Sequence, residues 1–135
     1  MNTSETTYQK ALRTISTHIL SGDCIKTDAP TDNQGKGEAF SPTDLLATSL
    51  TCCMLTIMGI ASKEHGFSID GTKATTVKLM DNDPRRVCEI RIELKFPSFK
   101  YTDAHKRIIS HISKTCPVAL SLHTDIRQNV TLLFD

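Results

Sequence analysis

Five cysteines are the residues of this 135-residue chain whose chemistry bears most directly on function. A cysteine thiolate is a nucleophile, a metal ligand and a redox-active group. Cys24 and Cys88 lie in short strand-like segments, where a cysteine is most simply a small buried apolar residue. Cys52 and Cys53 are adjacent, and Cys116 stands directly before a proline. These last three cysteines are the candidates for chemistry.

The sequence TCPVALSL places Cys116 where a thiolate would be favoured. Proline disfavours helical geometry at the residue before it and suits the first turn of a helix. One helix is therefore predicted to stop at Cys116, and a short one to start at Pro117. Unpaired N–H groups and the helix dipole at such a start stabilise a thiolate. From the residues alone, an uncharged cysteine that caps or packs the helix is the alternative.

Metal binding and Cys–His hydrolysis have less support in the sequence. The histidines do not form pairs with each other or with cysteines at zinc-binding spacing, and no C-x-x-C motif occurs. His111 or His123 could act as the base for a nucleophilic Cys116, but no third residue that would orient the histidine stands out. We therefore expect no metal site.

A long apolar helix is predicted to carry Cys52 and Cys53. Ser41 suits the N-cap, Asp44 completes a variant of the capping box, and Gly66 suits the position after the last turn. The two cysteines point in directions 100° apart on such a helix. Cys53 falls in line with the apolar residues of one stripe, whereas Cys52 points elsewhere and is interpreted as a packing residue. That stripe consists of Leu46, Leu50, Ile57 and Ile60.

The same helix raises the question of a membrane span. No charged residue occurs from Leu45 to Ala61, a stretch at the short end of what a span requires. The stretch also contains several hydroxyl side chains. A buried core helix of a soluble protein is therefore the prediction, with no membrane association.

The remaining patterns predict an α+β protein with the order ββ-α-ββ-α-α-β and an antiparallel sheet around a long central buried helix. A single domain over residues 1–135 is expected. Residues 1–9 are polar and predicted to fray. The other predicted segments, in chain order, are strands over 12–20 and 23–27, a loop over 28–40, strands over 72–80 and 87–96, a helix after Thr102 and a strand over 126–134.

Composition limits the classes of partner and the compartment. The chain has 16 basic and 15 acidic residues and no basic block, so no nucleic-acid partner is expected. Its first residues lack the charged start and apolar core of an export signal. With an odd number of cysteines, this predicts a reducing, cytoplasmic location and no disulfide framework.

Two motifs together resemble the OsmC/Ohr superfamily, the osmotically inducible protein C and organic hydroperoxide resistance proteins. The sequence SPTDLLATSLTCC is similar to the family's Pro-x-Glu-Leu-Leu…Cys helix. In the family motif the cysteine follows the proline by eleven residues. Counted from Pro42, that position is Cys53 rather than Cys52. The sequence TCPVALSL is similar to the family's Cys-Pro-Val-Ser segment and selects Cys116. The resemblance extends over nearly the whole chain.

The resemblance implies a thiol-dependent peroxidase that needs no cofactor. Cys53 would be the peroxidatic residue, which a peroxide converts to a sulfenic acid. Cys116 would be the resolving residue, and an external lipoyl or thioredoxin-like dithiol would reduce the resulting disulfide. The resemblance also implies an intertwined homodimer, with the long helices back to back and two active sites at the subunit interface.

One departure from the family pattern concerns the activation of the reactive thiol. Organic hydroperoxide resistance proteins carry a glutamate directly after the helix proline, and it orients an arginine onto the thiolate. Here that position is Thr43, and the nearby carboxylate belongs to Asp44, which also suits a capping role. Arg13 is the best candidate for the arginine, with Lys36 as a substitute. The departure favours the OsmC-like branch and leaves a redox-sensing or ligand-binding protein without significant turnover as the alternative function.

Overall fold

A computed structural model describes all residues from Met1 to Asp135, which form two compact units, Met1–Leu46 and Ala47–Asp135. The predicted α+β class is confirmed, and the single-domain organisation stays a prediction. The elements, in chain order, are β1 (Ser4–Lys10), β2 (Arg13–His18), β3 (Cys24–Asp28), α1 (Pro42–His65), β4 (Lys73–Asp81), β5 (Arg86–Lys95), α2 (Asp103–Thr115), α3 (Pro117–Ser121) and β6 (Arg127–Leu133).

The first unit contains the antiparallel sheet β1-β2-β3. The hairpin of β2 and β3 is confirmed, and its register places Arg13 opposite Asp28. The prediction that the first residues fray was wrong, because β1 pairs with β2 from Ser4 to Lys10. The sequence of β1, SETTYQK, shows no alternation of apolar and polar residues, and every one of its residues is exposed. Its backbone pairing and its threonines, which favour strands, stabilise it instead.

The long loop of the first unit folds back on β3. It contains a 3-10 helix over Thr31–Asn33, and Gly35 lies so close to Ala29 that a Cβ there would overlap the Ala29 carbonyl oxygen. Only glycine fits this approach. The fold of the loop brings the backbone N–H of Glu38 to the carboxylate of Asp28, at 3.1 Å.

The second unit contains the sheet β4-β5-β6, in which β5 pairs antiparallel with β4 and parallel with β6. The predicted antiparallel pairing is thus present between β4 and β5, whereas β6 departs from it because it runs parallel to β5. Helices α2 and α3 connect β5 to β6, and a parallel pair requires a crossover of this kind. The apolar face of β5 is buried as predicted; its fully or almost fully buried residues are Ile90, Ile92 and Leu94.

A register shift near the start of β5 changes which residues face the core. Leu79 pairs with Glu89 and Met80 pairs with Val87, so Cys88 is the extra residue of a bulge. Val87 is buried, whereas Cys88, predicted on the apolar face, is half-buried and its thiol donates to the Leu79 carbonyl at 3.3 Å. Glu89, predicted on the wet face, is also buried.

Helix α1 has the predicted bounds, but in the single chain it is buried on one face only. The buried apolar residues recur at helical spacing and belong to the main core: Ala47, Leu50, Met54, Met58 and Ala61. A second face remains open, with Leu46, Cys52, Thr56 and Ile60 exposed. By length and composition α1 is also long enough to cross a membrane, a property that it shares with core helices of soluble proteins.

Helix α2 begins and ends where the sequence predicted, and α3 begins at the predicted Pro117. The Thr102 hydroxyl accepts the His105 N–H at 3.1 Å, and the His105 ring accepts the Thr102 N–H at 3.2 Å, which together form a capping box. Cys116 has an extended backbone, with φ −62° and ψ 152°, and is both the last cap of α2 and the first cap of α3.

Candidate functional site

Cys53 and Cys116, although far apart in sequence, meet at the start of α3. The backbone N–H of Val118, in the first turn of α3, donates to Cys53 Sγ at 3.5 Å. Cys53 is half-buried and packs against the core cluster that contains Cys116. Cys116 is only 1% exposed. The arrangement places one partly accessible thiol and one buried thiol at the same helix start.

The buried position of Cys116 overturns one expectation. Burial raises the pKa of the Cys116 thiol, and the neighbouring Cys53 raises it further. Hydrogen bonds from the backbone N–H groups of Ala119 and Val118 lower the pKa of Cys116, but by less than burial raises it. The prediction that the helix start favours a thiolate at Cys116 was therefore wrong, because the loss of solvent outweighs the donors.

Cys52 differs from its neighbour in its surroundings. Cys52 had been predicted to be a packing residue. In the single chain its side chain is exposed instead. Its backbone carbonyl accepts a hydrogen bond from the Thr56 hydroxyl at 2.8 Å. The 100° between successive helix residues therefore separates the two thiols, and Cys53 is the one that lies beside Cys116.

Arg13, the predicted activating residue, is held by two carboxylates of the first unit. Its Nε and Nη2 donate to Asp28 Oδ1 and Oδ2 at 2.6 and 2.8 Å, a bidentate pair. Nη2 also donates to Glu38 Oε1 at 3.2 Å. Asp28 is 2% exposed. The hydrogen bond from Arg13 holds the pKa of Asp28 below its ordinary value, and that from Asp28 raises the pKa of Arg13.

Asp44 and Thr43 are engaged with the start of α1. The Ser41 N–H donates to Asp44 Oδ2 at 2.9 Å, and the Asp44 N–H donates to the Ser41 hydroxyl at 3.0 Å. The predicted capping box is thus formed. The hydroxyls of Thr43 and Ser41 lie 3.2 Å apart, within hydrogen-bond distance. The alternative cation Lys36 lines a cavity of about 340 Å³ together with Gln9, Lys10, Ala11 and Arg13.

Asp28, which pairs with Arg13, was not among the residues that the sequence indicated for the site, because it lies at the start of a predicted loop. The signal was present in the hairpin: a register that pairs Thr17 with Cys24 also pairs Arg13 with Asp28. The shared face of two paired residues makes a salt bridge between them possible. Nothing in the local composition indicated that the aspartate would be buried. No group of three or more histidine, cysteine or acidic side chains lies in an arrangement that could hold a metal ion.

The chain is thus a small α+β protein in which a cysteine of one helix, Cys53, lies beside the cysteine that precedes another helix, Cys116. A family model described as OsmC-like protein matches residues 35–131, and the chain belongs to this family. Among curated proteins, no sequence matches the chain.

Solved structures agree with this assignment. A protein from Psychrobacter arcticus 273-4, provisionally named an osmotic stress induced and detoxification response protein, is 52% identical over 98% of this chain and 96% of its own, with a TM-score of 0.94. The organic hydroperoxide resistance protein OsmC from Legionella pneumophila is 11% identical over 98% of both chains, with a TM-score of 0.75. An organic hydroperoxide resistance protein from Elizabethkingia anophelis is 13% identical over 100% of this chain and 98% of its own, with a TM-score of 0.72. The last two likenesses concern the fold alone.

The surroundings of the thiols predict their order of reactivity with iodoacetamide. In the reduced native protein, Cys116 should be alkylated much more slowly than the exposed Cys24, because it is buried and its pKa is raised. Peptide mapping by mass spectrometry after timed quenching measures the rates. In denaturant the difference should disappear. Native labelling of Cys116 as fast as that of Cys24 would contradict the burial described above.

The Arg13–Asp28 pair predicts a pH dependence of stability. Because the pKa of Asp28 is lowered on folding from its ordinary 3.8, its charge stabilises the fold above that pH and loses this effect as the pH falls below it. Thermal unfolding should therefore show a steeper loss of stability in acid for the native chain than for Asp28→Asn. The matched control is Asp23→Asn, in the exposed turn of the same hairpin. Equal acid sensitivity of all three proteins would contradict the assignment.

Proposed function

We propose that this chain is a thiol-dependent peroxidase that reduces organic or hydrogen peroxides through Cys53 and Cys116. The observation that carries the proposal is the meeting of these two cysteines, with the Val118 N–H donating to Cys53 Sγ at 3.5 Å beside the buried Cys116. The names of the relatives, which refer to hydroperoxide resistance and detoxification, support the same chemistry.

The first step oxidises Cys53. Its thiolate attacks the terminal oxygen of the peroxide, the O–O bond breaks, and the other oxygen takes up a proton and leaves as an alcohol, or as water when the substrate is hydrogen peroxide. The sulfur loses two electrons and becomes a sulfenic acid, while the peroxide is reduced. The Val118 N–H points at the sulfur atom and stabilises its negative charge before the attack. The half-buried position of Cys53 leaves the sulfur accessible to a small substrate.

The second step uses Cys116. Its sulfur attacks Sγ of the Cys53 sulfenic acid, gives up its proton, and displaces the hydroxyl group as water, which leaves a disulfide. The raised pKa of Cys116 suits this order, because a buried thiol next to a thiolate keeps its proton until the sulfenic acid forms. An external lipoyl or thioredoxin-like dithiol then reduces the disulfide by exchange. A cytoplasmic location would supply such reductants.

Arg13 is the cation that we assign to activation of the reactive thiol, in preference to Lys36. Two carboxylates fix its guanidinium, whereas Lys36 is exposed on a loop. A fixed cation loses less side-chain entropy when it acts on an anion. Asp44, the other residue considered for activation, is assigned to the capping of α1.

Serine substitutions test the roles of the two cysteines. Cys53→Ser should abolish peroxide consumption, because a serine hydroxyl does not form the anion that attacks the O–O bond. Cys116→Ser should still reduce one equivalent of peroxide, accumulate a sulfenic acid that dimedone traps, and lose turnover with a dithiol. Cys24→Ser, an exposed cysteine of the first unit, is the control and should keep full turnover. Undiminished peroxide reduction by Cys53→Ser would refute the proposal.

A second candidate function is a redox sensor or ligand-binding protein without significant turnover. The observation that favours it is Thr43, whose hydroxyl lies against Ser41 where organic hydroperoxide resistance proteins carry a glutamate. Steady-state assays with cumene hydroperoxide, hydrogen peroxide and a lipoyl or thioredoxin-like reductant separate the two. Stoichiometric oxidation of Cys53 with no catalytic cycle would favour the sensor. Sustained turnover would exclude this second candidate function.

We also propose that the chain forms a homodimer through the open face of α1. Leu46 and Ile60 on this face are 39% and 52% exposed, and a second copy of the helix would remove them from water. Ile60→Lys should therefore give a monomer in sedimentation velocity, where the native chain sediments as a dimer. Val77→Lys, at an apolar residue of β4 that is 49% exposed and lies outside α1, is the matched control. A native chain that sediments as a monomer would contradict the proposal.

A further inference from the structure

We propose that the cleft lined by α2, β5 and β6 is a binding site for a small phosphate monoester that carries an apolar substituent. The cleft has a volume of about 1030 Å³, at the upper end of the range of small-molecule sites. All of its lining residues belong to the unit Ala47–Asp135. Neither Cys53 nor Cys116 is among them, so the site is separate from the thiol pair.

Positive charges outnumber negative charges in the lining of this cleft. Arg91, Lys114 and Arg127 contribute three cations, and Glu89 is the one acidic residue. The whole chain has a net charge of only +1, so the excess in the cleft is a local concentration of charge. A phosphate monoester is mostly a dianion at pH 7, because its second pKa is about 6. Its charge therefore matches the excess of two cations.

The buried carboxylate of Glu89 holds both arginines in place. Its side chain is 5% exposed, and it accepts from Arg91 Nε at 2.6 Å and pairs with Arg127 Nη2 at 2.8 Å. The hydrogen bond from Arg91 lowers the pKa of Glu89 by more than burial raises it, so the carboxylate is charged at neutral pH. The two guanidinium groups are thus fixed on one anion, at the wall of the cleft.

Each arginine keeps donors that Glu89 does not engage. Arg91 contacts the carboxylate through Nε and Arg127 through Nη2, which leaves two further nitrogens on each guanidinium. The two side chains are 56% and 78% exposed, so a ligand in the cleft has access to them. Pairs of guanidinium N–H groups match the spacing of phosphate oxygens. Because the arginines are already held, a ligand would lose less of its binding energy to ordering them.

An apolar wall lies beside these cations. Ile126, Val130 and Leu132 line the same cleft and are half-buried. Gln128, which lies between them in β6, donates from Nε2 to the Ala119 carbonyl at 3.0 Å and is thereby tied to α3. An apolar substituent on the ligand would remove the exposed part of this wall from water. For this reason we assign the site to a phosphate monoester rather than to inorganic phosphate.

Titration with phenyl phosphate tests the site, because this probe joins a dianionic phosphate to an apolar ring. Isothermal titration calorimetry of the full reduced chain should show saturable binding. Phenol, which has the ring without the charge, should show none, and inorganic phosphate should bind more weakly than phenyl phosphate. Amide shifts in ¹H–¹⁵N spectra should locate the bound probe at Lys114, Arg127 and Asn129, which all line the cleft.

Substitutions of the cations test how the probe is held. Arg91→Gln should weaken the binding of phenyl phosphate about 10-fold, because a charged donor is lost. Lys114→Gln leaves both partners of Glu89 in place and should weaken it about threefold. This second variant carries the test if Arg91→Gln does not fold, as judged by circular dichroism. The matched control is Lys95→Gln, on the same face of β5 about 13 Å beyond Arg91 and outside the cleft.

Four results would overturn the assignment. These are the absence of saturable binding of phenyl phosphate at millimolar concentration, equal binding of phenol, equal binding of inorganic phosphate, and native affinity in the folded cation variants. Amide shifts confined to residues outside the cleft would overturn it as well. None of these measurements involves a peroxide or a thiol, so the failure of this inference and the failure of the proposed function are observed separately.

Discussion

The burial of one face of α1 is the constraint on which the second unit depends. Leu50 and Met54 are completely buried, and they fix the rotation of the helix about its axis. Because successive residues turn by 100°, this rotation also fixes the directions of the two adjacent thiols. Cys53 reaches the start of α3, and Cys52 faces outward. The packing of apolar side chains therefore selects which sulfur has a second sulfur as its neighbour.

The two thiols of the pair differ in solvent access more than in their hydrogen bonds. The N–H groups at the start of α3 lie near both sulfur atoms. The pKa of Cys116 is nevertheless raised, because burial destabilises its thiolate more than these donors stabilise it. A helix start therefore does not by itself make a cysteine reactive. The two residues therefore differ in burial on the same scaffold: Cys53 is half-buried, and Cys116 is buried.

The first unit is stabilised in a different way from the second. All of its buried residues are polar, namely Thr27, Asp28 and Ser41, whereas the apolar core consists of residues from Ala47 onward. Strand pairing, the capping box and the Arg13–Asp28 pair take the place of an apolar core. A unit held by directed polar contacts fixes the orientation of its charged groups closely, since each contact loses its energy when the geometry changes.

The sequence alone determined the elements whose signals are local. The caps of α1 and α2, the proline after Cys116 and the alternation along β5 all act within a few residues, and the structure has these elements at the predicted places. The motif spacing likewise indicated the family, and it selected Cys53 and Cys116. Only the tertiary structure decided what depends on distant chain segments: the pairing of β1, the parallel β6, the bulge at Cys88, and the burial that raises the pKa of Cys116 and encloses Asp28. Solvent exclusion is a property of the packed fold, and for that reason no local pattern predicted it.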